Sequence, residues 1–267
     1  MIAGLPDYSD AELLAEVLER PRRAFVPYDD LREVSRPGWL QLLTPSFHRG
    51  GLNNVELAIL SEHEADAVID ATIAEYDALG IRFRWTVGPD SRPLDLATRL
   101  ERRGLRSTRV LLLAAAIADL AAGAPENVVV EAVDEHNLAA FAGVVAAGWG
   151  VDAGPLIAYE QAVQAHRARV DNNDGTDYRN FLATIDGEPV GAANGICFPR
   201  SLYLMGAVVL PAHRDRGVYR ALVAARIAVA RARGVRLATC QAMADTSAPI
   251  LGRMGFVQVS EQLSFAR

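Results

Sequence analysis

The chain has 267 residues, of which 51% are hydrophobic and 22% charged; such a chain buries a large core in one or two domains and is not disordered. Its formal charge is −6 and all 27 basic residues are arginine. That argues against nucleic-acid binding, which needs a basic face, and removes the lysine on which pyridoxal-phosphate enzymes and Walker-type nucleotide sites depend. The longest apolar run, Val110 to Ala118, is far short of the roughly 20 residues of a membrane span, so no membrane association is expected.

The first helix is signalled by Ser9 followed by Glu12, a capping box, with Leu13, Leu14, Val17 and Leu18 on one face; Pro21 predicts its end. From Asn53 the pattern becomes regular. Val55–Leu60 reads as a strand, Glu64–Leu79 as a helix stopped by Gly80, and Phe83–Val87 as a strand closed by Gly88 and Pro89. Leu94–Arg103 reads as a helix ended by Gly104, and Arg109–Ile117 as a long strand. The segment Ala121–Asn127, with Gly123 and Pro125, reads as a linker. Beyond it come a strand at Val128–Val133 and helices at Glu135–Ala147 and Pro155–Arg169, then a polar loop at Asp171–Asp177. Phe181–Ile185 and Val190–Ile196 form a hairpin across Asp186 and Gly187. A single strand is predicted over Leu202–Leu210, a helix from Val218 to Ala232, a strand over Leu237–Met243, a short helix near Ser247–Met254 and a closing strand over Phe256–Phe265.

The two halves resemble each other. Leu100-Glu101-Arg102-Arg103-Gly104-Leu105 lies 151 residues before Leu251-Gly252-Arg253-Met254-Gly255-Phe256, and the same offset sets the helix from Ala67 on the helix from Val218. A duplicated strand-helix unit is expected. Its halves would be 1–122 and 128–267.

The chemistry is concentrated between Val208 and Leu222, where a strand runs into a loop that opens a helix. The first turn of a helix has unpaired N–H groups and the positive end of the dipole, which together favour an anion. Gly217 lets a ligand approach the backbone, and Arg214, Arg216 and Arg220 add positive charge. At the same offset the first half has His63-Glu64-Ala65-Asp66, acidic and without glycine, so no diphosphate is expected there.

Arg214-x-x-Gly217 at the head of a helix, with Ser247 before a short helix ending in Gly255-Phe256 and a closing strand, resembles the GNAT acetyltransferase superfamily. The resemblance covers about Val128 to Arg267, and the two halves together resemble the tandem GNAT proteins. It implies an α/β fold with a mixed, mostly antiparallel sheet flanked by helices. It also implies acetyl-CoA as co-substrate. Ala207, Val208 and Val209 would then meet the pantetheine arm, and the amides of Asp215, Arg216, Gly217, Val218, Tyr219 and Arg220, with Arg214, would hold the pyrophosphate. Ser247 would lie on the coenzyme, and Trp149, between Gly148 and Gly150, would shape the acceptor site. Two positions depart from the family: Tyr219 stands where a small residue is usual, and Leu251 where many members have a tyrosine that protonates the leaving thiolate. The family's strand glutamate falls here on Tyr203, which is expected to order the acceptor or a water and not to act as a strong base.

The reading that results is an acyl-CoA-dependent N-acyltransferase of the cytoplasm. It would pass acetyl from acetyl-CoA to an amine of a small molecule or peptide by direct attack, with no metal; a homodimer stays possible. The alternative is a catalytically silent acyl-CoA-binding regulatory protein. A different nucleotide-binding α/β protein is disfavoured by the lack of a glycine-rich turn with a downstream acid. Cys197 and Cys240 cannot make a disulfide framework or a zinc site, Cys240 reads as a small buried hydrophobe, and His48, His63, His136 and His166 lack metal-ligand spacing. No secretory signal is legible at the first residues.

Overall fold

A computed structural model describes residues 8–25, 29–49, 52–120, 123, 125–169 and 175–267. It begins with α1 (Asp10–Leu14), continued by a π-helical turn at Ala15–Glu19 and by α2 (Arg20–Arg22). Then come β1 (Arg32–Arg36), β2 (Trp39–Leu43), β3 (Asn54–Ala58), α3 (Ala65–Ala78), β4 (Arg84–Val87), α4 (Leu96–Arg102) and β5 (Arg106–Ala116). After β6 (Val129–Ala132) follow α5 (Leu138–Trp149), α6 (Ala153–Arg169), β7 (Asp177–Ile185), β8 (Glu188–Cys197), β9 (Ser201–Tyr203) and β10 (Ala207–Val209). The chain closes with α7 (Val218–Ala232), β11 (Leu237–Met243), α8 (Ser247–Arg253) and β12 (Val257–Ala266). The architecture is mixed α/β with a mostly antiparallel sheet flanked by helices, as expected. The predicted linker at 121–127 and polar loop at 171–177 lie partly outside the described residues.

Three local expectations need correction. The capping box is present, with Ser9 N–H donating to Glu12 Oε2 at 2.9 Å, yet the helix runs through Pro21 instead of ending before it. Proline has no N–H for the carbonyl of Val17. The wider π turn relieves the ring there, and Gln241 Nε2 donates to Val17 O at 3.2 Å in its place. The hairpin β1–β2 lies where no element was predicted. β1 is charged and exposed along its length, so it shows no apolar alternation. Finally, the strand predicted over Leu202–Leu210 is two strands, β9 and β10, separated at Leu204–Gly206.

The chain divides into two compact units, residues 1–26 with 112–259, and residues 27–111 with 260–267. In the second, the sheet order is β1-β2-β3-β4-β12; β3 and β4 are parallel, and β12 pairs antiparallel with β4 through Leu263↔Val87 and Phe265↔Trp85. Its core joins Trp39, Val55, Ile69, Tyr76, Trp85 and Leu100. The last strand of the chain thus closes a sheet begun by its first strands.

In the first unit the order is β5-β11-β9-β8-β7-β6, with β10 paired to β8. The alternation of β7 and β8 sends side chains to opposite faces. Phe181, Ala183 and Ala193 meet Val218, Ala221 and Leu222 of α7, while Leu182 and Ala192 meet Phe141, Val144 and Val145 of α5. Leu13, Val17 and Leu18 of the N-terminal helix pack with Leu112, Ala114 and Leu237.

Candidate functional site

The break between β9 and β10 opens the sheet. β9 is paired on both sides, antiparallel with β8 and parallel with β11 through Leu237↔Ser201 and Thr239↔Tyr203. The ladder to β11 ends where Leu204 N–H donates to Thr239 O at 2.8 Å. β10 then pairs with β8 alone, through Val208↔Ala192. Ladder bonds alternate along a strand, and those of Gly206 and Leu210 go to β8, so the N–H groups of Ala207 and Val209 face the side that β11 has left.

Arg226 holds this break. It is buried on α7 at 1% exposure, with Nε on Leu222 O and Nη1 on Asn194 O and Met205 O at 3.1 and 3.5 Å. Its Nη2 makes no hydrogen bond among the described residues, and burial lowers its pKa. The stem needs Gly195, where a Cβ would stand 3.2 Å from Arg226 Cδ. Tyr219 and Cys240 lie near the guanidinium; burial pushes the Tyr219 hydroxyl up and the Cys240 thiol up to about 12, which makes Cys240 inert.

Below β10 a short turn at Pro211–His213 leads to Asp215 with φ 61°, and to Gly217 with φ 80° at the N-cap of α7. A Cβ at Gly217 would stand 2.4 Å from Pro125 Cγ, so only glycine fits both the backbone and the space. The first turn of this 15-residue helix has no side-chain cap, which leaves its N–H groups for another acceptor. Arg214, Arg216 and Arg220 make no ion pair among the described residues; Arg214 Nε reaches only Val209 O at 3.4 Å, and Arg216 the ring of His213. Arginines without carboxylates beside orphaned amides suit an anion. A coenzyme pyrophosphate fits this donor set, although Asp215 adds a negative charge. Ser247 begins α8, and Leu251 is fully buried in it.

The other end of β10 carries the remaining predicted residues. Gly148 lets the end of α5 onto β10, since a Cβ there would strike Val208, and Trp149 lies over Gly206 while 46% exposed. Tyr203 packs with Ala24, Ile196, Phe198, Tyr178 and Met205. Next to Tyr178 and Met205 a groove is lined also by Tyr159, Glu160, Asn180 and Asn194. Glu160, on α6, is 1% exposed and accepts from Asn180 Nδ2, whose Oδ1 accepts from Asn194 Nδ2 at 2.6 Å. Burial pushes the Glu160 carboxyl up to about 8, against the lowering effect of Asn180.

Glu160, Asn180, Asn194 and Arg226 were not singled out in the sequence. One signal existed: the hairpin register sets Asn180 directly opposite Asn194, two amides facing each other on strands that are otherwise apolar at their centre.

Residues 149–256 match the family model described as acetyltransferase (GNAT) family. These residues are a GNAT-family domain. They include the break in the strand, the Gly217 loop and Leu251. Solved structures share the fold along most of the chain. A GCN5-related N-acetyltransferase from Kribbella flavida is 19% identical, with 95% of this chain and 93% of that one covered and a TM-score of 0.59. A tandem GNAT protein from the clavulanic acid biosynthesis pathway is 11% identical, with 100% and 96% covered and a TM-score of 0.56. A functionally unknown conserved protein from Staphylococcus epidermidis is 16% identical, with 90% and 95% covered and a TM-score of 0.63. No curated protein sequence matches the chain. Among the described residues no group of three or more potential metal ligands occurs, and no helix is long and apolar enough to cross a membrane.

Proposed function

We propose that this GNAT protein is an acyl-CoA-dependent N-acyltransferase, passing acetyl from acetyl-CoA to the amine of a small molecule or peptide. The observation that carries the reading is the pairing of two features on one strand: β10 leaves β11 with a free edge, and the same strand runs into the Gly217 loop with its unpaired arginines. The pyrophosphate would lie on the amides of 215–220, with Arg214, Arg216 and Arg220 around it, and the pantetheine arm along Ala207, Val208 and Val209. Bound acetyl-CoA supplies an activated carbonyl. A strand N–H near Val209 would polarise that carbonyl as charge develops on its oxygen. Trp149 would border the acceptor. Tyr203, packed behind Met205 and Tyr178, would order the acceptor side. Holding amine and thioester together supplies much of the acceleration.

Leu251 favours a second reading, a silent acyl-CoA-binding regulator, because its buried side chain cannot protonate a thiolate. A thiol titrates near 8.5, so the anion leaves tolerably without an acid. Residues 1–122 and 128–267 would on either reading be two GNAT-like halves.

Release of free thiol from acetyl-CoA against a panel of aminoglycosides, polyamines, amino acids, arylalkylamines and peptide N-termini tests the proposal. Amine-dependent release with an acetylated product is expected. Acetyl-CoA binding without turnover on any amine would favour the silent regulator.

A further inference from the structure

The groove beside the strand break carries a charge-bearing group that coenzyme binding does not use. Glu160 projects from α6 into the space between Tyr159, Tyr178 and Met205, and its Oε2 is held by the Asn194–Asn180 amide relay. No arginine or histidine pairs with it among the described residues. A carboxyl removed from water without a cation is costly to ionise, so near neutral pH Glu160 rests protonated and gains most from a ligand that brings positive charge. The relay also fixes its place. Asn194 N–H donates to Gly206 O at 3.1 Å, and Asn194 Oδ1 lies 3.6 Å from where a Cβ on Gly206 would stand. Gly206 is the residue after which β10 begins its free edge. Arg226 meets Asn194 through its backbone carbonyl and leaves the side-chain relay to Glu160.

We propose that Glu160, oriented by Asn180 and Asn194, is the acceptor-amine site of this protein, and that it takes a primary amine with an apolar or aromatic body. This rests on the N-acyltransferase reading. An ammonium group displaces the Glu160 proton to solvent and pairs with the carboxylate. For transfer, one N–H proton passes back to Glu160, and the freed lone pair on nitrogen forms the N–C bond to the acetyl carbon. The C–S bond breaks with its electron pair on sulfur. The second nitrogen proton ends on that sulfur as thiol. The proton passed to Glu160 stays there as the amide leaves, which restores the protonated resting carboxyl and makes the one proton released on binding the net proton of the reaction. The aromatic and aliphatic walls set the class of amine: one carboxyl matches one ammonium, and Tyr159, Tyr178 and Met205 suit a hydrocarbon or ring better than a second cation. Tyr159 and Tyr178 are the titratable groups that face Glu160 across the groove.

The test uses the full chain with phenethylamine as probe and spermidine as contrast. Calorimetry at pH 7 in buffers of different ionisation enthalpy should show phenethylamine binding with release of about one proton, because the ammonium drives a carboxyl titrating near 8 to ionise. Glu160→Gln should abolish the release and weaken phenethylamine at least about 10-fold, with acetyl-CoA affinity unchanged. Its kcat should fall about 100-fold or more, and the rate limb that rises through about 8 should disappear. Glu160→Asp should restore part of the proton release. The proposal is overturned by no binding of phenethylamine, by binding without proton release, by tighter binding of spermidine, or by a Glu160→Gln protein with unchanged amine affinity and kcat. The proton count on the unaltered protein stands even if Glu160→Gln does not fold. Loss of acetyl-CoA binding by the unaltered protein would sink the transferase reading, while the amine titration would still report on Glu160.

Discussion

Two turns of the same strand-to-helix type stand at corresponding places in the two halves, at Ser61–Ala65 before α3 and at Pro211–Val218 before α7. In the first, the chain's own carboxylates line the turn without capping the helix amides. Glu64 Oε1 accepts from Ser61 N–H at 2.9 Å, which lowers its pKa, and Asp66 is clamped by Arg99 and Arg103 at 2.7 and 2.9 Å. In the second, glycine stands at the cap and Arg214, Arg216 and Arg220 make no ion pair among the described residues, while Asp215 is the turn's own acid; neither helix has a side-chain cap on its first N–H groups. A helix start already neutralised from within has no use for a diphosphate; one that presents amides and unpaired cations does. The difference lies in which side of the turn supplies the negative charge, the protein or the ligand.

The comparison breaks most visibly if the chain is cut between its halves. A fragment from Asn127 onward loses Leu13, Val17, Leu18, Leu112 and Ala114, which are buried against Leu237, and should be recovered mainly as aggregate. A soluble, monomeric, fully active fragment by size-exclusion chromatography would contradict this. Next in size, Gly217→Asp should weaken acetyl-CoA by about 100-fold or more, since it adds a charge and a side chain where φ is 80° and Pro125 leaves no room. A folded variant of unchanged affinity would show the loop to be misassigned. Tyr203→Phe should slow turnover about 10-fold or less and leave acetyl-CoA affinity intact, because the ring packs behind the groove; steady-state kinetics separate the two effects. The smallest change belongs to the first turn. Asp66→Asn loosens pairs to Arg99 and Arg103 that are exposed on the aspartate side, and should barely move the thermal midpoint. It should create no second coenzyme site.

Most helices and strands from Asn53 onward were legible because their burial follows the periods of helix and strand. The Gly217 loop was legible because glycine and arginine types are visible without a structure. The break at Leu204–Gly206 was hidden, since Leu202, Leu204 and Val208 stay buried on both sides of it and the apolar pattern runs on. What breaks the strand is tertiary: Trp149 over Gly206 and Arg226 on the carbonyls of Asn194 and Met205. Glu160 was hidden for a related reason. A single glutamate on a helix reads as solvent-facing until α6 is laid on Asn180 and Asn194. The partnership of β12 with β4 lies beyond any local signal, because Phe265 and Trp85 are far apart in the chain.

The central claim, that only the turn before α7 takes the coenzyme, is tested most directly by titrating the intact chain with acetyl-CoA in a calorimeter. One coenzyme per chain, with binding lost in Gly217→Asp and kept in Asp66→Asn, is the predicted result. Two coenzymes per chain, or one that survives Gly217→Asp in a folded protein, would contradict it.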